Sequence, residues 1–195
     1  FVADTTNNRV MVFDVADITD GEAAINVLGQ ATFTTNTSAT STTGLKAPEA
    51  VAAEASARLF VGDSSNHRVM VFDIAAITDG EAAINVLGQT SFTAGSSGLA
   101  QNRLNAPYGV TLLGSQLVVA DSTNQRVMIF DVAAITNGEN AVNLAGQVDG
   151  SLAPIYSKNG VNDGPNLQGF NLSGAFAGLA LDAAGHRLYA SDPTN

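Results

Sequence analysis

Asp63-Ser64-Ser65-Asn66-His67-Arg68-Val69-Met70-Val71-Phe72-Asp73 decides the fold, because the pattern recurs along the chain. Residues 4–14 and 121–131 repeat it whole, and Asp192-Pro193-Thr194-Asn195 begins it again. The opening aspartates Asp4, Asp63, Asp121 and Asp192 are 59, 58 and 71 residues apart. A period of this size is the signature of a repeat architecture, in which each unit buries its apolar face against the next. Inside the first copy Val10, Val12 and Asp14 fall on one side of an extended chain, and Met11 and Phe13 on the other. Period two with apolar residues on both sides predicts a strand held between stacked sheets.

Working outward, each unit carries further strand candidates. In the third copy they are 108–113, 116–120, 126–130 and 141–144, and in the first copy 25–30 is the outermost. Leu45-Lys46-Ala47-Pro48 matches Leu104-Asn105-Ala106-Pro107 ahead of the first strand of each unit. Thr19-Asp20-Gly21 is a turn signal, and Gly29, Gly88 and Gly146, each followed by Gln, mark close approach after the last strand. Phe33 and Phe92 occupy the same place in two polar connections, which predicts packed links between units and not free linkers. Four short strands per unit, short turns and no long helix describe a blade of a β-propeller. The units run 1–47, 48–106, 107–175 and 176–195, all in one propeller segment, and the third holds a long insertion at 148–175. Such loops on a repeat scaffold are common binding surfaces.

Composition narrows the function classes. Eighteen acidic against eight basic side chains set the formal charge at -10, a field that repels nucleic acid and anionic lipid. Lys and Arg appear only scattered singly along the sequence, which leaves a local basic patch open. With no cysteine, disulfides and thiolate chemistry are absent. No apolar run approaches the roughly 18 residues of a membrane-spanning helix. The chain opens on Phe1 and is expected to begin inside a longer or mature polypeptide.

Leu104-Asn105-Ala106-Pro107-Tyr108-Gly109-Val110, followed by Leu117-Val118-Val119-Ala120-Asp121-Ser122-Thr123-Asn124-Gln125-Arg126-Val127-Met128-Ile129-Phe130, resembles the NHL repeat. Asn66-His67-Arg68 matches the first two positions of the triplet that names the family, and the Arg-Val variant is similar to bacterial members. The resemblance implies an all-β, NHL-type β-propeller of four-stranded antiparallel blades, here part of a six-bladed ring. Fewer than four blades leave terminal sheets uncovered, so the expectation is a fragment of a larger ring or a ring completed by several chains. The family's members are scaffolds for protein ligands or RNA, and some are lyases with histidine-bound zinc along the central channel. The charge disfavours RNA, and His67 and His186 alone do not make a three-histidine centre.

The repeated polar residues have a structural reading. Asp4, Asp63, Asp121 and Asp192 open turns, with Asn7, Asn66 and Asn124 three positions on. Arg9, Arg68 and Arg126 stand five positions on, placed to pair with those carboxylates or to cross to the next blade. Asp14, Asp73 and Asp131, with Asp20, Asp79 and Asn137, are hard-oxygen residues that leave calcium open as an alternative to turn capping, although they lack the spacing of a dedicated calcium loop. No catalytic residue, resident metal or cofactor is assigned. The candidate partner-binding residues are Tyr156, Lys158, Asp163 and Phe170 in the long insertion. The expected function is an extracellular or cell-surface scaffold that binds a protein or other polymer. Two alternatives are a channel-site propeller enzyme acting on a small metabolite or glycan, and a self-associating structural protein completed by strand pairing between chains.

Overall fold

The computed structural model describes residues 1–16, 18–55, 57–160, 172, 178–182, 184 and 187–191. Among the described residues thirteen strands form four antiparallel sheets. The first sheet pairs β1 (Val2–Asp4), β2 (Arg9–Val12) and β3 (Asn26–Leu28) in chain order. The second holds β4 (Pro48–Glu54), β5 (Arg58–Asp63), β6 (Arg68–Asp73) and β7 (Asn85–Leu87). The third repeats it with β8 (Pro107–Leu113), β9 (Gln116–Asp121), β10 (Arg126–Asp131) and β11 (Asn143–Ala145). The fourth pairs β12 (Leu179–Asp182) with β13 (Arg187–Ala190). Each sheet is an up-and-down meander, the order that short turns between antiparallel neighbours dictate.

Alternation along the central strands stacks the sheets like blades of a propeller. Met70 and Phe72 of β6 join Val10, Val12 and Leu28 of the first blade in one apolar cluster. Their sequence neighbours Val69 and Val71 point the other way, into a second cluster with Val119, Met128 and Phe130 of the third blade. The far side of the third blade offers Val118, Ala120 and Val127, which pack with Leu172. The two inner strands of the second and third blades therefore serve two cores at once, which is why they are apolar on both faces. Burying a Leu, Val or Phe side chain stabilises by about 1.5–3 kcal/mol, so the junctions hold the molecule together.

The outermost strands are shorter than the sequence predicts. β11 pairs only Asn143, Leu144 and Ala145 with β10, two residues later than the expected start. Ala141 is spent elsewhere, its N–H donating to the Gln101 carbonyl at 3.0 Å. Chain that serves the preceding blade is unavailable to the ladder, and the strand starts late. β4 and β8 each carry a register irregularity, between Pro48 and Ala50 and between Pro107 and Gly109, because proline has no N–H to place in the ladder.

Candidate functional site

The repeated corner between the second and third strand of each blade is built from four side-chain types. A single 3₁₀ turn (Ser64–Asn66) follows Asp63, and His67 ends it in the left-handed region at φ 54°. The chain reverses in so short a space that Asp63 and Arg68 face each other across the ladder. Arg68 Nε lies 2.7 Å from Asp63 Oδ2, and both side chains are fully buried. Asn66 Nδ2 donates to the same oxygen at 2.9 Å, while Asp63 Oδ1 accepts the Lys46 N–H at 2.6 Å. The guanidinium has donors left over. It gives them to the carbonyls of Ser41 and Gly44 at 3.2 and 2.9 Å and to that of Phe92.

The other blades copy this geometry. Arg126 Nε is 2.6 Å from Asp121 Oδ2, with Asn124 and the Asn105 N–H on the same carboxylate. Arg9 pairs with Asp4 at 2.7 Å, but that corner is partly open to solvent. Depth reverses the acidity. Burial pushes the Asp121 carboxyl up to about 6, against the pull of Arg126 and the hydrogen bonds of Asn124 and Asn105. Burial also raises Asp63 against Arg68, Asn66 and Lys46. At the shallower Asp4 the upward push of burial is outweighed by the Asn7 and Arg9 hydrogen bonds and the Arg9 charge, and its carboxyl lies below the usual value.

The arginine series explains Tyr156. Arg9 donates to the Phe33 carbonyl, Arg68 to that of Phe92 and Arg126 to that of Tyr156. Gln30, Gln89 and Gln147 keep the same register, each holding one carbonyl of the corner and one of the loop, namely those of Thr37, Ser96 and Gly160. Tyr156 is thus the third-copy equivalent of Phe33 and Phe92. Its side chain packs, partly buried, against the core between the second and third blades. The anchoring atom is a main-chain oxygen, which has no sequence signature beyond the aromatic.

Between Gln147 and Tyr156 the third copy holds extra chain, and it folds. Val148 bridges Pro154, the Asp149 N–H donates to the Ala153 carbonyl at 2.9 Å, and Leu152 turns at φ 66° with 64% of its surface exposed. Asp149 Oδ1 accepts from Ser151 Oγ and from the Ser151 and Ala153 N–H groups at 2.7, 2.8 and 2.9 Å. The Ser151 side chain and these N–H groups together hold its carboxyl below the usual value. Lys158 is exposed four residues past the hairpin. Asp163, Phe170, His186 and Asp192 lie outside the described residues.

The second acidic series divides in two. Asp14, Asp73 and Asp131 each accept an N–H two residues on, from Ala16, Ala75 and Ala133 at 2.9, 2.9 and 3.1 Å, the turn capping expected of them. Asp79 and Asn137 instead reach back to the preceding blade, where they accept the Val27 and Val86 N–H groups at 3.0 Å. The Asp-to-Asn exchange between copies was the available signal, since an oxygen acceptor is kept and a charge is not. Among the described residues no three His, Asp or Glu side chains gather as a metal site would require.

Glu49 differs from these repeated groups. It lies on β4 at the register irregularity, where the third copy has Tyr108, and burial raises its carboxyl above the ordinary value. Among the described residues no helix is long and apolar enough to cross a membrane. Neither the protein-family models nor the curated proteins contain a match to this chain.

Proposed function

We propose that the chain is a segment of an NHL-type propeller, six-bladed when complete, of bacterial kind. In this reading it is a secreted or cell-surface scaffold that presents its loops to a protein or another polymer. The observation that carries the reading is how the polar residues are divided. The Asp, Asn and Arg that recur in the first three blades are consumed by ion pairs, sealed in the second and third, and by carbonyl contacts, and uniform groups of that kind favour scaffold work. What differs is the hairpin at 148–154, with Leu152 exposed at its turn and Lys158 beyond it. An exposed apolar tip and an exposed cation in one loop are chemistry for a partner surface, and a loop insertion leaves the blades intact.

A propeller enzyme is the second reading, favoured by Glu49, a raised carboxyl where the third copy has Tyr108. One experiment separates the two. The chain and a variant lacking residues 149–154 are applied to peptide and polysaccharide arrays, after circular dichroism has shown equal folding. Binding by the parent that is lost in the deletion is the expected result. Binding that survives the deletion removes the hairpin from the reading. Turnover of an array glycan that Glu49→Gln abolishes replaces the scaffold with the enzyme.

A further inference from the structure

Five of the eight cationic side chains are committed to carboxylates: Arg9, Arg58, Arg68, Arg126 and Arg187. Among the described residues Lys46, Arg103 and Lys158 make no ion pair. Two of these three, although 57 residues apart in sequence, come together at one corner. Lys46 is tied to the turn that carries His67, its N–H donating to Asp63 and its carbonyl accepting the Ser65 N–H at 3.2 Å. Arg103 arrives from the loop that leads into the third blade. Its Nη2 donates to the Ser96 carbonyl at 3.1 Å, and Gln89 Nε2 links that carbonyl to the carbonyl of His67.

His67 completes the group. Its Nδ1 accepts the Ala106 N–H at 3.1 Å, so the neutral ring carries its proton on Nε2 and offers a donor there. Burial first, then the charges of Lys46 and Arg103, hold this ring below the usual histidine pKa. The remaining charged groups of its own corner, Asp63 and Arg68, are paired with each other. The equivalent positions elsewhere have no such chemistry. Asn8 and Gln125 accept the corresponding N–H groups, of Ala47 and Leu172, through uncharged side-chain oxygens. Lys46 is replaced by Asn105 in the third copy, and Gly44 stands where Arg103 would be in the first.

We propose that Lys46, His67 and Arg103 form a binding site for a small oxyanion, a phosphate or carboxylate group, at the junction of the second and third blades. An ammonium, a guanidinium and an imidazole N–H suit such a group, and charge-assisted hydrogen bonds are the strong kind. The anion neutralises two cations that otherwise repel each other in the fold. Screening sets the range: at physiological salt the overall negative field fades over about 8 Å, so the local cations govern approach. Lys46 is exposed, so solvent screens its contact with the anion. The site does not depend on the hairpin or on the scaffold reading.

The test is a pH titration of the His67 ring by NMR in sodium phosphate and in sodium acetate, each compared with sodium chloride at equal ionic strength. The chain has two histidines, and His67→Asn assigns the signal. Phosphate is expected to raise the His67 midpoint saturably, because a bound anion stabilises the charged ring. Lys46→Gln and Arg103→Gln should each weaken that response about tenfold, the effect of losing one charge-assisted contact, while Lys158→Gln leaves it unchanged. In chloride, Lys46→Gln should itself raise the midpoint, since one repelling charge is gone. A matching response to acetate assigns carboxylates as well, and a response to phosphate alone assigns phosphate. Equal midpoints in phosphate, acetate and chloride, or an undiminished phosphate response in both variants, overturn the site.

Discussion

At the scale of single residues, depth decides what a repeated ion pair is worth. Arg68 and Asp63 are sealed from solvent, whereas 16% of the Arg9 side chain and 26% of the Asp4 side chain are exposed. Removing one partner from a sealed pair strands the other as an uncompensated charge, at a cost of about 3–5 kcal/mol. The same deletion at a solvated pair costs about 1 kcal/mol or less. Arg68→Ala should therefore lower the urea midpoint several times more than Arg9→Ala, although the two side chains hold the same repeat position. Similar midpoints would mean that the carbonyl contacts to Phe33 and Phe92, common to both corners, carry the stability and the ion pair does not. Arg68→Lys is no rescue, because an ammonium lacks the planar fork that reaches Asp63 and the carbonyls of Ser41, Gly44 and Phe92 together.

Among elements, the turn after the third strand links one blade to the one before. Gly80 donates its N–H to the Val27 carbonyl at 3.0 Å, and Gly138 repeats this with Val86 at 3.1 Å. Gly138 sits at φ 71°, and a Cβ there would lie 2.9 Å from Thr90 Cα, so main chain and not a pliable side chain blocks it. Gly21 has the same hand at φ 76°, with nothing within 4 Å of its added Cβ. The pair separates backbone preference from packing. Gly21→Ala should cost about 1–2 kcal/mol, the left-handed penalty alone, and Gly138→Ala about 1–3 kcal/mol more for the forced contact. Hydrogen exchange should place that additional loss at the junction, in the amides of Val86 and Gly138. Equal costs at the two glycines would show that the Gly138 turn gives way freely.

For the molecule as a whole, a blade is only as apolar as its neighbour allows. Ile77 packs, partly buried, against the core between the first and second blades and Ile135 against the next, while Ile18 at the same repeat position is 70% exposed. Val15 is 70% exposed, and Val132, its equivalent in the third copy, is fully buried. Phe1, Val2, Phe13, Val15 and Ile18 line an open apolar hollow of about 330 Å³ on the first blade. Ile135→Ala should cost about 2–5 kcal/mol in thermal or urea unfolding if the junction is as dense as an ordinary core, and Ile18→Ala within about 0.5 kcal/mol of zero. A large loss at Ile18 in the isolated chain would mean that in solution something covers this face.

The sequence by itself determined the all-β class, the period and the two-sided strands, because side-chain alternation is a local property of extended chain. Val69 and Val71 against Met70 and Phe72 could be assigned to opposite faces without any coordinates. The pairing of Asp63 with Arg68 was open to the same reasoning, since a reversal five residues long leaves few other arrangements. Tertiary structure decided whatever depends on the path of a connection between blades. Tyr156 looked like a feature of an inserted loop until Arg126 and Gln147 located it by carbonyl oxygens, which every residue carries alike. Asp79 and Asn137 read as turn caps, yet they hold the main chain of the blade before. The cations appeared scattered in sequence, and stacking two blades anchored Lys46 at the turn before His67 and Arg103 at the Ser96 carbonyl that Gln89 joins to that turn. Charge acts through space and not along the chain, so this meeting could be seen only in three dimensions.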